Sequence, residues 1–330
     1  MLTENSNTDK PFTISEIKQC INILKSNKSA GPDLIANEII KYSSIATCKS
    51  IVKLFNLILD SGKYPSAWRK SFIILIHKSG DKRDLNNYRG ISLQNCIAKL
   101  FSSALNKRLM SHYKNLFSSQ QFSFRPHHRT TDSLFILKAL ISKYVLKKKT
   151  QTFSCFVNLR KAFDTVWHSG LLYKLRTNKI GHKFFNIIQN MYNLCQSAVK
   201  IDNKHSNYFN LEKGVKQGEC LSPKLFNYFI NVIHDIFDQS CDPLKLDYSS
   251  LSFADDLVIF SESQNALYQL QKYCFDWQLT VNINKTQILT FQKTFSPTPM
   301  LFYDHKPLTE TKEYNFLGTV IDNKGTDHLT

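Results

Sequence analysis

Acidic side chains are scarce in this 330-residue chain: 26 Asp and Glu stand against 43 Lys and Arg, a formal net charge of +17. Such a shortage does not help folding. It points to a polyanionic partner, nucleic acid first and an anionic membrane surface second. The eight cysteines form no C-x-x-C pair, which argues against both a zinc site and a disulfide framework. They read as reduced thiols of an intracellular protein, in nucleus or cytoplasm. No apolar run approaches the roughly 18 residues of a membrane span, so no membrane partner is expected. The opening MLTENSNTDKPFT is polar and is no secretory leader. Repeats, low-complexity tracts and linkers are missing too. The length suits one large domain or two small ones.

What is present is a mixed pattern. Residues 1–12 read as a loose tail. Thr13 and Glu16 have capping-box spacing before the amphipathic ISEIKQCINILK. Helices are expected in SAGPDLIANEIIKYSS after its Gly-Pro turn, in SIVKLFNLILDS, and over residues 96–117 and 131–147. SFIILIHKSGDKRD reads as a strand and a basic turn. The densest basic run, KYVLKKKT at 143–150, reads as a solvated helix end. TFSCFVNL is a strand, and KAFDTVWHSGLLYKL is expected to turn directly into a helix. A hairpin is expected in SAVKIDNKHSNYFNLEKGVKQG, and one apolar helix in LSPKLFNYFINVIHDIFDQS. Later come two strands around Ala254-Asp255-Asp256, then a helix and a strand through residue 291, and a final strand YNFLGTVID. The class is α+β: helices first, then an antiparallel sheet with helices on one side.

LSFADDLVIF at 251–260 puts two aspartates inside an apolar run. Burying one carboxylate unpaired costs several kcal/mol, and a second like charge beside it adds to that. One reading is an exposed hairpin tip, where Asp is a common turn residue. The other is two-metal phosphoryl transfer. Two divalent ions roughly 3.5–4 Å apart activate a hydroxyl nucleophile and hold a triphosphate. Mg²⁺ favours hard carboxylate oxygens, and the ions offset the repulsion of the pair. Such a site needs a third carboxylate from a neighbouring strand, and the end of TFSCFVNL is placed to supply one.

The chain resembles the reverse transcriptase domain of non-LTR (LINE-type, jockey-like) retrotransposons, in order over nearly its whole length. SNKSAGPDLIANEII resembles the family's N-terminal extension motif. AWRKSFIILIHKSGDKRDLNNYRGISL and QQFSFRPHHRTTDSLFIL resemble its two fingers motifs. FVNLRKAFDTVWH, GVKQGECLSPKLFNYFIN, SFADDLVIF, LTVNINKTQILTF and YNFLGTVIDNKG resemble motifs A to E. FADD alone is weak and Q-G-x-x-L-S-P moderately specific; eight motifs in order are far more specific. The resemblance implies a right-hand polymerase with fingers and palm. The N-terminal extension and fingers would span 13–150 and the palm 151–330, with the chain ending before a thumb. It implies an RNA template, a DNA primer, deoxynucleoside triphosphates, and Mg²⁺ or Mn²⁺.

Roles follow from the resemblance residue by residue. Asp255 and Asp256 match the metal-binding pair. Leu159 would offer a backbone carbonyl to the nucleotide-side metal. Phe163 matches the bulky residue that excludes a 2′-hydroxyl, its alternative being a core Phe. Lys78 and Arg89 match basic fingers residues that reach the triphosphate, where Arg forms bidentate bonds; alternatively both line the template path. Gln217 and Gly218 match the motif B turn beside nucleotide and template, Gly permitting close backbone approach. Lys285 matches the motif D lysine that protonates the leaving pyrophosphate, or is a surface residue. Trp68, Trp167 and Trp277 read as core packing.

One departure bears on the chemistry. Where the family has its third metal-binding aspartate, this chain has Asn158. An amide oxygen can touch Mg²⁺ but brings no charge, and Asp164 lies too far along to replace it. A loss of about 4 kcal/mol of transition-state stabilisation would slow the reaction roughly a thousandfold. Ser123 for the usual Gly and Gly90 for the usual Pro are smaller departures. Two readings stand: an RNA-directed DNA polymerase, or a catalytically impaired nucleic-acid-binding remnant of one.

Overall fold

The computed structural model describes residues 7–112, 117–142, 152–237, 248–291, 300–324 and 327–329. KYVLKKKT lies outside them. The helices in chain order are α1 (Ile14–Asn22), α2 (Asn37–Lys41), α3 (Ile45–Ser61), α4 (Ser66–Arg69), α5 (Cys96–His112), α6 (Thr130–Ile141), α7 (His168–Thr177), α8 (His182–Tyr192), α9 (Ser222–Ile230), α10 (Ile233–Phe237) and α11 (Asn265–Asp276). The strands are β1 (Lys70–His77), β2 (Tyr88–Leu93), β3 (Thr152–Asn158), β4 (Gln196–Ile201), β5 (Lys204–His205), β6 (Phe209–Asn210), β7 (Tyr248–Phe253), β8 (Asp256–Ser261), β9 (Gln287–Phe291), β10 (Phe302–Tyr303), β11 (Lys306–Pro307), β12 (Thr309–Thr311), β13 (Glu313–Phe316), β14 (Thr319–Asp322) and β15 (Asp327–Leu329). The chain forms two compact units, residues 1–116 with 167–225, and 117–166 with 226–330. Neither is a continuous stretch, so a single cut after residue 150 does not separate them.

In the first unit, sheet β2-β1-β4-β5, with β6 also on β4, is mixed: β1 runs antiparallel to β2 and parallel to β4. Its helices bury an aromatic cluster of Phe12, Phe55, Tyr64, Trp68 and Phe101, with Phe55 and Phe101 centroids 4.8 Å apart. Residues 7–12 are no loose tail. Thr8 is buried, and its hydroxyl accepts from Gly181 N–H. Asp9 accepts from Lys183 and Phe184 N–H at 3.1 and 3.0 Å, satisfying the first turn of α8. The capping box is half made: Thr13 accepts from Glu16 N–H, but the Glu16 carboxylate pairs with Arg108, Nε–Oε1 2.8 Å. Arg108 also covers the Phe12 ring. Gly62, at φ 67°, closes α3.

In the second unit the sheet order is β12-β9-β3-β8-β7. Four strands are antiparallel and edge strand β12 joins β9 in parallel. Alternation sends Phe156, Val258, Leu251 and Leu289 to one face, where they pack with Leu137 of α6 and with Phe316 and Ile321 of β13–β14. Ser250 and Ser252 point to the other face, where His234 of α10 bonds both hydroxyls at 2.8 Å.

Three local expectations are corrected. YNFLGTVID is a hairpin, because Leu317 (φ 53°) and Gly318 (φ 82°) make a two-residue turn between Phe316 and Thr319. LSPKLFNYFINVIHDIF breaks at Asn231 and Val232 into α9 and α10, where Asn231 Oδ1 accepts from Ser118 N–H. After Asn158 the chain does not pass directly into a helix. Lys161 is left-handed (φ 47°), Ala162–Asp164 form one 3-10 turn, and α7 begins only at His168. Among the described residues seven cysteines are free thiols, and no helix is long and apolar enough to cross a membrane.

Candidate active-site residues

The carboxylate pair sits at the tip of the β7–β8 hairpin. Phe253 and Asp256 close the ladder, and Ala254-Asp255 form the two-residue turn. Ala254 holds φ 59°, a conformation that a residue with a Cβ adopts at a cost of about 1 kcal/mol or more. Across the sheet, β3 pairs Asn158 with Asp256. Both backbone groups of Asn158 point away from β8: its N–H donates to Thr286 Oγ1 at 3.1 Å and its C=O accepts from Asn282 N–H at 2.8 Å. Asn158 and Asp256 therefore form a non-hydrogen-bonded pair, with side chains on one face and Cα atoms about 4.5 Å apart. The same alternation turns the Leu159 N–H and C=O toward the hairpin side. Leu159 itself is buried and bridged to Val281.

Asp255 is half-buried, and Asp256 keeps one side open to solvent. Loss of water around its carboxyl, with the Asp255 charge second, pushes Asp256 up to about 6. Tyr314, stacked on Phe156 at 4.0 Å, stands close enough to feel this group; burial first and the Asp256 charge second raise its hydroxyl. Hard oxygens whose charges repel one another suit a divalent cation. Asp255 and Asp256 would hold it, with the Asn158 amide oxygen and the Leu159 carbonyl as neutral donors. Among the described residues no three His, Cys, Asp or Glu cluster as a metal site; the third acidic position here is an amide.

Phe163 is half-buried. Its ring stacks on fully buried Phe226, centroids 4.3 Å apart, and meets Phe124 edge-on. That support fixes the ring. Lys285 ends the 3-10 turn Ile283–Lys285, is exposed, and precedes Thr286, the residue bonded to Asn158.

The remaining candidates lie in the other unit. Lys78 and Arg89 are exposed on the β1–β2 hairpin; Arg89 pairs with Ile76, and Lys78 N–H bonds Asn87 C=O. This register puts both cations on one face as diagonal neighbours. The motif B turn lies along β2: Ser92 N–H donates to Gln217 C=O at 2.6 Å. Gly218 has φ 105°, and a Cβ there would stand 3.1 Å from Ser92 O. Sequence reasoning missed what holds this turn. Buried Glu219 accepts from the Ser102 and Ser222 hydroxyls at 2.8 and 2.9 Å. Phe226, Tyr314 and Thr286 were missed as well, since each acts by packing or bonding that only the fold creates. The departures at Ser123 and Gly90 are accommodated. Ser123 is buried with its hydroxyl near Gln121 and Asn227, and Gly90 faces Ile73.

Residues 76–321 match the family described as Reverse transcriptase (RNA-dependent DNA polymerase). The chain is 29% identical to the RNA-directed DNA polymerase from mobile element jockey of Drosophila funebris, over 97% of this chain and 36% of that protein. It is 26% identical to the probable RNA-directed DNA polymerase from transposon X-element of Drosophila melanogaster, over 97% of this chain and 36% of that protein. The chain thus spans about a third of the length of the curated relatives it matches. Among solved structures, apo telomerase from Candida tropicalis truncated from its C-terminal domain shares the fold. Its TM-score is 0.57 at 11% identity, covering 87% of this chain and 60% of that one.

Proposed function

Because this chain belongs to the reverse transcriptase (RNA-dependent DNA polymerase) family, in its non-LTR retrotransposon branch, we propose that it extends a DNA primer against an RNA template by nucleotidyl transfer. The observation that carries this reading is the Asp255-Asp256 turn facing the end of β3, where Asn158 opposes Asp256. Asp255 and Asp256 hold Mg²⁺, with Mn²⁺ the softer alternative, and the Leu159 carbonyl adds a neutral oxygen. When bound, such ions lower the pKa of the primer hydroxyl and neutralise the triphosphate. Phe163, braced by Phe226, excludes a 2′-hydroxyl. Lys78 and Arg89 bind phosphate oxygens, and Gln217 with Gly218 supports the template base. Lys285 delivers a proton to the departing pyrophosphate. RNA, DNA and deoxynucleoside triphosphates are the partners, and the excess of positive charge suits all three.

A second reading is favoured by Asn158 itself. With one charge fewer opposite Asp256, the chain binds nucleic acid and catalyses weakly. Primer extension on an RNA template by purified protein, wild type beside Asp255→Ala, tests the first reading. Extension that is metal-dependent and lost in the variant supports it; binding without extension leaves the second.

A further inference from the structure

The outer face of α11 has no role in the chemistry above, yet it is built unusually for a solvated helix. Its inner residues Ala266, Leu267, Leu270, Tyr273 and Cys274 are buried. Tyr268, Gln271, Lys272 and Phe275 recur at i, i+3, i+4 and i+7, one stripe on the opposite side. Tyr268 is 59% and Phe275 85% exposed, and seven residues place them about 10 Å apart along the axis. Beside this stripe lies a groove of about 810 Å³, which Arg160, His305 and Lys306 also line.

The far wall is held rigidly. Gln264 clamps Phe302, its Nε2 donating to the Phe302 carbonyl at 2.7 Å and its Oε1 accepting from Phe302 N–H at 2.9 Å. Two helical turns on, Gln271 makes a longer contact with Asp304, its Nε2 donating to the Asp304 carboxylate at 3.5 Å and its Oε1 accepting from Asp304 N–H at 3.3 Å. The β10–β11 turn carries Asp304 and His305 at φ 49° and 59°. Asp304 keeps its negative charge in the groove, against the three cations Arg160, Lys272 and Lys306. Among the described residues Arg160, Lys272 and Lys306 form no ion pair. Exposed ring faces interleaved with unneutralised cations along a fixed groove match single-stranded nucleic acid, whose bases stack on aromatics while its phosphates take the charge.

We propose that the groove between α11 and the β10–β11 hairpin is a separate site for a short run of single-stranded nucleic acid. Bases stack on Tyr268 and Phe275, and phosphates lie against Arg160, Lys272 and Lys306. The polymerase reading also allows such strands to bind, so the α11 variants and the crosslink map, rather than binding itself, separate this site from that one. Labelled oligo(U) and oligo(dT) of about 12 nucleotides are titrated by fluorescence anisotropy, and the two arms tell RNA from DNA. Tyr268→Ala/Phe275→Ala should weaken binding about tenfold or more, with an unchanged melting temperature. Lys272→Glu/Lys306→Glu should lower the salt slope by about 1.4, two single-strand phosphate contacts. Photocrosslinking through 4-thiouridine should map to α11. Unchanged affinity in the aromatic variant, crosslinks confined to other segments, or no binding by the wild type would each overturn the proposal; the second would place bound strands elsewhere.

Discussion

Asn158 and Asp256 face one another across the β3–β8 ladder as a non-hydrogen-bonded pair, the arrangement that brings opposed side chains closest. Asn158→Asp therefore puts two carboxylates directly opposite, beside Asp255. Without divalent ions the variant should be less stable than wild type by about 0.2–1 kcal/mol. Added Mg²⁺ or Mn²⁺ should raise its melting temperature more than that of wild type, since an ion that binds only the folded state stabilises it. Thermal melts with and without metal check both. Identical curves would mean that the two side chains do not share a site.

Phe163 rests on Phe226 and meets Phe124. In an active background, Phe163→Val should raise ribonucleotide relative to deoxyribonucleotide incorporation by about tenfold or more. Phe226→Leu, which only loosens the support, should do so to a lesser degree. Single-nucleotide incorporation kinetics read the ratio. A constant ratio with retained activity would make Phe163 a packing residue.

Burial of His234 between Ser250 and Ser252 pushes its imidazole down to about 3. The unfolded chain, with an ordinary histidine, takes up the proton first. This contribution is fully present above about pH 6.5 and is lost progressively as pH falls toward 3, with a slope of about 1.4 kcal/mol per unit. His234→Gln should reduce that part of the acid sensitivity. Urea unfolding between pH 4 and 7 measures it, and equal slopes in both proteins would contradict the assignment.

Two glycines are fixed by close approach. A Cβ on Gly31 would stand 2.3 Å from Gln94 O, and one on Gly218 would combine φ 105° with Ser92 O at 3.1 Å. Gly218→Ala should cost about 1–3 kcal/mol, and Gly31→Ala should cost more, because its Cβ would press far closer on a backbone carbonyl that cannot swing away. Denaturant midpoints decide, and Gly218→Ala without cost would show that the turn repacks.

Much of this was legible because its signals are local. Two strands around Asp255-Asp256, the Thr13 cap and the strand ending at Asn158 follow from alternation and turn chemistry within a few residues. What escaped depends on distant partners. Nothing near Thr8 and Asp9 announces that they cap α8, more than 170 residues on. Parallel pairing of β1 with β4 leaves no mark in either strand. The turn in YNFLGTVID lacks the usual Asn-Gly or Asp-Gly signal, and Leu317 takes a positive φ. At the candidate site, order and spacing singled out Asp255 and Asp256 as the proposed acids, while the bracing by Phe226, Thr286 and Glu219 is tertiary.

The most direct test compares Mg²⁺-dependent primer extension on an RNA template by wild type and Asn158→Asp, with Asp255→Ala added to the variant as control. The account predicts a gain of about two orders of magnitude, roughly 3 kcal/mol in the barrier, abolished by the control. Wild type extending as fast as Asn158→Asp would contradict the claim that the missing carboxylate opposite Asp256 limits this site.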